Sequence, residues 1–199
     1  MEQIRAFIAI ELPDELKVKL GQLEAQLQSG KLSWLKWVDP ASIHLTLKFL
    51  GNIAMDRTGE ILRAMEEATQ AVPPFQLEVK DPGVFPNLKR VQVVWVGMSG
   101  EIDKLGQLQQ RLDSNLALLG FAPESRPFTA HLTLARLRNQ APLDERQKFG
   151  QIIAGTKFEA GTIKVDTISL MKSQLTREGA IYRRISSARL EKPLPTATA

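Results

Sequence analysis

The sequence predicts an α+β fold made of two copies of one β-α-β-α-β unit, and three observations carry that prediction. The tetrapeptide His-Leu-Thr-Leu occurs twice, in IHLTLKFLG at 43–51 and in AHLTLARLR at 130–138. Apolar residues switch between strand and helix periodicity in the same order around each copy. His131 follows His44 by 87 residues, and the strand pattern beginning at Val91 follows the one beginning at Ile4 by the same 87. Whole elements therefore recur with one offset, as an internal duplication requires. Such a duplication predicts pseudo-two-fold symmetry, with equivalent strands facing each other across a shared cleft.

Each element has its own local reason. Residues 3–11, QIRAFIAIE, alternate as a strand does, with Arg5, Phe7 and Ala9 on one face and Ala6, Ile8 and Ile10 on the other. Pro13 suits a first helical turn, and Leu16, Leu20, Leu23 and Leu27 keep helical spacing until Gly30. Pro40 punctuates the chain before the first His-Leu-Thr-Leu strand, which Gly51 and Asn52 close. Ile61, Leu62, Met65 and Ala68 predict a helix over 55–72, and FQLEVKDPGVF at 75–85 reads as extended chain. The second half repeats this order: VQVVWVG at 91–97, a helix over 101–119, the second motif strand, a helix over 143–154, then TIKVDTISLMKS at 162–173. A further strand at 180–187 completes the sheets. Residues 1–190 thus read as a single domain of two lobes, with approximate repeats 3–87 and 90–174. The closing stretch 191–199, EKPLPTATA, has no packing pattern and reads as a flexible tail.

Composition bounds what these elements can do. With 43% hydrophobic and 24% charged residues, a chain of 199 can bury a sizeable core. It contains no cysteine, which excludes thiol nucleophiles, disulfides and thiolate metal sites and suits a reducing cytoplasm. The N-terminal MEQIRAFIAIELPDE lacks a signal peptide's layout, and no run approaches the roughly 18 apolar residues of a membrane helix. A cytoplasmic protein without a membrane partner is the expectation. The net charge of +4 and pI near 9.4 suit a phosphate-bearing partner without requiring one.

His44 and His131 are the chain's only histidines. Strand alternation puts His44, Thr46 and Lys48 on one face and sends Leu45, Leu47 and Phe49 to the core. Downstream, it groups His131, Thr133 and Ala135 against Leu132 and Leu134. A single such histidine is usually an idle surface residue, and duplication alone could copy it. Two imidazoles facing a cleft, each with a hydroxyl two residues on, are what acid–base chemistry near neutral pH requires.

Other chemistries fit less well. Two histidines with no cysteine or carboxylate in either motif make an incomplete metal shell, so no metal and no other cofactor is expected. There is no G-x-S-x-G turn and no Gly-rich phosphate loop. Each threonine hydroxyl can donate one hydrogen bond, worth roughly 1.5–3 kcal/mol to a charged acceptor. With Arg5, Lys48, Arg126 and Arg136 near the motif strands, a phosphoester becomes the expected substrate. Trp37, Trp95 and Phe128 are assigned to the core ahead of the other use open to an aromatic side chain here, stacking on a base.

Paired H-x-T-x motifs in a duplicated α+β chain resemble the two-histidine (2H) phosphoesterases. More narrowly, IRAFIAIELP, KWVDPASIHLTLKFLG and RPFTAHLTLAR resemble the RNA 2',3'-cyclic phosphodiesterases, historically called 2'-5' RNA ligases, through about residues 3–185. The resemblance implies a bilobal fold with antiparallel sheets around a central cleft, and a metal-independent reaction. In it, water opens an RNA 2',3'-cyclic phosphate end to a 2'-phosphomonoester. His44 would protonate the departing O3' and His131 would activate the water. The same resemblance implies that ends can be joined reversibly through a 2'-5' linkage, and the assignment of donor and acceptor rests on it alone.

Thr46 and Thr133 would hold the non-bridging oxygens. Arg136 matches the arginine that follows the family's second motif, a phosphate or ribose contact. Phe7, on the face of Arg5, is a candidate for stacking on a base or for core packing. Ala130 stands where relatives often carry proline. The motif strands leave other cyclic or 2'-5' phosphoesters open as substrates, as they do a non-catalytic RNA-end-binding module. Selectivity would come from loops such as 81–90 and 172–180. A monomer would already hold a complete site.

Overall fold

Strand and helix form where the two periodicities predict them, with ends moved by a few residues. The computed structural model describes residues 2–28, 33–70, 72–138, 141–176 and 180–191. Gly30 and residues 192–199 of the expected tail lie outside the described residues. The first half holds β1 (Gln3–Glu11), α1 (Asp14–Leu27), β2 (Leu35–Trp37), β3 (His44–Ala54), α2 (Thr58–Thr69) and β4 (Phe75–Phe85). The second holds β5 (Val93–Gly100), α3 (Ile102–Leu118), β6 (His131–Leu137), α4 (Leu143–Gly155), β7 (Glu159–Val165), β8 (Thr167–Leu175) and β9 (Ala180–Arg189). Helix α1 begins directly after Pro13 with Asp14 and Glu15 in its first turn, where the helix dipole favours acid. Helix α3 buries Leu105, Leu108, Leu112 and Leu116, one stripe at helical spacing, while Leu118 on its other side is exposed.

Two differences from the sequence expectation matter for the site. The short strand β2 pairs with β6 and was not expected. The stretch TIKVDTISLMKS breaks at Asp166 into β7 and β8, and these pair with different partners, β4 and β1.

All strand pairings are antiparallel, in the order β7-β4-β5-β6-β3-β1-β8-β9, with β2 beside β6. The two halves of this sheet meet at one pair, Leu45 of β3 opposite Leu132 of β6. These leucines are themselves 87 residues apart, so the seam coincides with the duplication's symmetry point. On either side of it the order is related by the repeat: β3 matches β6, and β1 matches β5. The third strand of each repeat crosses over, for β4 pairs with β5 and β8 pairs with β1. Each half-sheet is thus assembled from both halves of the chain. Since β7 and β8 are one residue apart in sequence yet lie near opposite ends of the pairing order, the sheet must curl strongly.

The helices pack on one face of this curled sheet. Their apolar stripes share a core with Ala6, Ile8, Ile10, Leu45, Leu47, Val94, Val96, Leu132 and Leu134, all buried. The opposite face carries a small separate cluster of Phe7, Ala9 and Met171, with Tyr182 packed against it. That second face is the wall of a cleft.

Both motif strands carry a β-bulge at the same repeat position, and this corrects the simple alternation. Ile8 pairs with Lys48 and Ala9 with Thr46, so Leu47 is the extra residue; Val94 pairs with Ala135 and Trp95 with Thr133, so Leu134 is its counterpart. An inserted residue flips the side chains that follow it. Lys48, expected beside His44 and Thr46, therefore turns to the core side and is 3% exposed. Phe49, expected in the core, emerges on the cleft side at 59% exposed. Ala135, grouped with His131 by alternation, is fully buried, and Arg136 takes its place on the cleft face.

Candidate active site

Each histidine is the first residue of its strand, and each is anchored in the same way. His44 Nδ1 lies 2.8 Å from the carbonyl oxygen of Ser42, and His131 Nδ1 lies 2.7 Å from that of Thr129. A carbonyl can only accept, so both Nδ1 atoms carry the proton and both Nε2 atoms are left for chemistry. Ser42 is fixed in turn by a short 3-10 turn, Pro40–Ser42, whose start is capped where the Ala41 amide donates to the Asp39 carboxylate at 3.0 Å. Asp-Pro-Ala-Ser is a sequence that favours such a turn, through an Asx cap and proline's fixed φ.

Aromatic rings hold the imidazoles from the side. Phe7 stacks on His44 with ring centroids 4.6 Å apart and planes 27° apart, and Tyr182 meets His44 edge-on at 5.0 Å. On the other side of the cleft Phe85 meets His131 edge-on at 5.1 Å, with Trp95 at 6.5 Å. Trp95 can lie there because Gly83 has no side chain: a Cβ at that position would fall 2.3 Å from the indole ring.

Two adjoining cavities of about 550 and 620 Å³ make up the cleft. Thr46, Phe49, Thr133 and Arg136 line both, whereas His44 lines only the first and His131 only the second. The antiparallel register about Leu45 and Leu132 accounts for this, since one step to either side sets His44 across from Thr133 and Thr46 across from His131. The shared neck is thus two hydroxyls and a guanidinium, with one imidazole on each side. Arg136 Nη2 stands 3.4 Å from Thr133 Oγ1, so these two donors converge on the same space.

The His44 pKa is lowered from its ordinary value. Burial against Phe7 and Tyr182 disfavours the charged ring most, the hydrogen bond to Ser42 opposes that, and the Arg136 charge lowers it further. Glu11, the register partner of His44, pulls the other way. Its carboxylate is itself held, accepting from Ser169 Oγ at 2.6 Å and pairing with Arg184 at 3.2 Å.

The structure brings His44, His131, Thr46, Thr133, Arg136 and Phe7 to one cleft. Phe7, however, is only 3% exposed, because His44 covers one ring face and Tyr182 meets it edge-on at 5.1 Å. Its ring supports the imidazole and leaves little surface for a base. Arg5 lines the first cavity and Arg126 the second, while Lys48 is withdrawn into an ion pair with Asp113. Of the aromatics assigned to the core, Trp37 and Phe128 are partly buried and pack against it, Phe128 also lining the second cavity, while Trp95 is partly exposed beside His131. Sequence reasoning missed Phe49, Tyr182 and Phe85. Among the described residues, no three His, Cys, Asp or Glu side chains cluster as a metal ion would require. No helix among them is long and apolar enough to cross a membrane.

A sequence profile of the 2'-5' RNA ligase superfamily matches residues 13–177, most of the chain and both motifs. The chain belongs to that superfamily. Among curated members it is 31% identical over 189 residues to the RNA 2',3'-cyclic phosphodiesterase of Methanothermobacter thermautotrophicus, spanning 94% of this chain and all of the relative. It is 32% identical over 186 residues to the protein of that name from Methanocaldococcus jannaschii, spanning 92% and 98%. Its fold superposes on that of E. coli LigT crystallised with 3'-AMP, with a TM-score of 0.76, 26% identity and coverage of 95% and 99%. Membership of the 2'-5' RNA ligase superfamily agrees with the duplicated α+β architecture and with the resemblance read from the motifs.

Proposed function

We propose that this cleft hydrolyses RNA 2',3'-cyclic phosphate ends to 2'-phosphomonoesters, with His44 as general acid and His131 as general base. One observation carries the pairing of acid and base, while which histidine plays which part rests on the family resemblance: the two histidines stand on opposite sides of a neck formed by Thr46, Thr133 and Arg136. Displacement at phosphorus runs in line, so the entering and departing oxygens need proton transfer groups on opposite faces. Water enters from the His131 side and gives its proton to Nε2. The P–O3' bond breaks, and His44 Nε2–H protonates O3'. Charge building on the non-bridging oxygens is met by the two hydroxyls and the guanidinium, which are already in place.

In the free enzyme the lowered pKa keeps His44 largely neutral at pH 7. A phosphodiester anion in the neck offsets the Arg136 charge and favours the protonated form that the acid step needs. The terminal ribose and base occupy the first cavity, where exposed Phe49 and the face of Tyr182, rather than Phe7, offer stacking surface. Both histidines and both threonines belong to one chain, which supports a monomer, and the absence of cysteine supports a cytoplasmic setting.

The test is hydrolysis of an RNA oligonucleotide ending in 2',3'-cyclic phosphate, with EDTA present and the 2'- and 3'-phosphate products resolved. A 2'-phosphate product, with turnover reduced on the order of 10²–10⁴-fold in both His44→Ala and His131→Ala, is expected. Wild-type turnover in either folded variant would remove that histidine from the mechanism.

A further inference from the structure

The two histidines are oriented by the same kind of carbonyl, but the two carbonyls are held by different means. Ser42 belongs to a local turn, Pro40–Ser42, with its own Asp39 cap. That turn backs onto α1 where Gly21 leaves room for it, since a Cβ there would lie 3.1 Å from Pro40 Cγ. Thr129 sits in a loop instead. Residues 122–130 form neither helix nor strand, and among the described residues they make no backbone–backbone hydrogen bond. Phe128 and Ala130 pack against the core at the far end of this loop. Its near end is tied to a buried ion pair. Lys48 Nζ donates to the Ala122 carbonyl oxygen at 2.6 Å, pairs with Asp113 of α3 and lies 3.9 Å from Glu124. The Glu124 amide donates in turn to Asp113 Oδ2 at 3.3 Å.

Lys48 is 3% exposed, and a cation so buried is tolerated only where its hydrogen bonds are met, which leaves the cluster one low-energy arrangement. The repeat is asymmetric here. The counterpart of Lys48, 87 residues on, is Ala135, also buried, so the second motif strand sends no cation to the first. We infer that Lys48, together with Asp113, is a positioning residue for His131. The ion pair fixes the start of loop 122–130, and through it the Thr129 carbonyl that keeps the His131 proton on Nδ1 and leaves Nε2 free to accept. The strand that carries His44 thereby orders the loop that orients the opposite imidazole. This also gives the bulge at Leu47 a task, because without it Lys48 would face the cleft and the loop would lose its anchor. The inference rests on the acid–base reading proposed above and adds to it a residue that touches no substrate. Without the buried cation the Thr129 carbonyl drifts, Nδ1–H loses its acceptor and the ring proton is shared between the two nitrogens. A ring protonated at Nε2 cannot take a proton from water.

A chain with only two histidines makes the test direct. Protein whose histidine rings carry an NMR-active nitrogen isotope gives two sets of ring signals, told apart with His131→Ala. At a pH where both rings are neutral, wild type should show each protonated at Nδ1. In Lys48→Met the His131 set should move toward a mixture of tautomers while the His44 set stays as in wild type. On an RNA cyclic phosphate end, kcat should fall roughly 10–100-fold with KM changed less than about twofold. In a His131→Ala background the same substitution should cost less than about twofold, since the group it acts through is already gone. Asp113→Asn removes the charge partner and keeps its volume, so it should give the same pattern more weakly and reports even if Lys48→Met does not fold. An unchanged His131 tautomer in the folded variants would overturn the inference. So would a loss of turnover that persists in full without His131, or a shift of both histidine sets together, which marks a general loosening of the fold. A wild type inactive on cyclic phosphate ends would instead overturn the function reading, and the ring spectra would still decide whether Lys48 holds His131 in place.

Discussion

At the scale of single residues, the two histidines and two threonines were legible because period-2 alternation and a repeated tetrapeptide depend only on the local chain. Arg136 was legible only through resemblance, since alternation assigns it to the wrong face. Its charge also acts on His44, which gives a prediction. If His44 must be protonated to act, kcat/KM falls as pH rises through the free enzyme's His44 pKa, which lies below the ordinary 6.5. Arg136→Gln removes one of the lowering influences, so that limb should move to higher pH even while the overall rate drops. A pH profile of kcat/KM for both proteins checks this, and an unshifted limb would mean that the Arg136 charge does not reach His44. Tyr182 was not legible, because its place beside His44 depends on how β9 registers with β8 and on how far the sheet curls.

At the scale of elements, the helices were read with little error, since one buried stripe per helix is enough to specify them. The bulges were not, because a bulge is a relation between two strands, and neither strand alone records it. Their effect on Lys48 is testable. Lys48→Met leaves Asp113 and the Ala122 carbonyl without their buried cation, and a loss on the order of 3 kcal/mol in urea unfolding is expected. Changing Asp113 to leucine as well should recover part of that loss, and a cost below about 0.5 kcal/mol for the single variant would show the pair to be energetically idle. On the other wall, Gly83→Ala drives a methyl group into the Trp95 indole. Overpacking of this kind costs about 1–3 kcal/mol, and the displaced ring also disturbs the packing around His131. Lower thermal stability together with reduced turnover is expected; reduced stability with wild-type turnover would uncouple Trp95 from the site.

At the scale of the whole molecule, the duplication predicted the symmetry and the shared cleft, while the crossing of β4 and β8 between half-sheets left no trace in sequence spacing. Stability also has a pH dependence at this scale. Glu24, 3% exposed in α1, has its pKa pushed up to about 8 by burial and then by the Asp39 charge, and its Oε1 has no hydrogen-bond partner. The folded state therefore holds this proton more tightly than the unfolded chain does. The contribution is fully present below about 4.5 and is lost as pH rises through about 8. Glu24→Gln is free of that loss, so its melting temperature should gain on wild type between pH 5 and pH 8.5. A constant difference across that range would show that Glu24 ionises normally.

The crossing of β8 back to β1 also fixes when the cleft can exist. Arg5 lies opposite Ser173, so one wall of the His44 cavity joins positions from the two extremes of the chain. During synthesis the first histidine emerges long before β8 and β9 can close behind it. Until then Phe7 lacks Met171 and Tyr182, and β1 is an open edge. A ribosome-bound chain stalled before β8 should accordingly carry both motifs yet be inactive, gaining the reaction only once the final strands have been released.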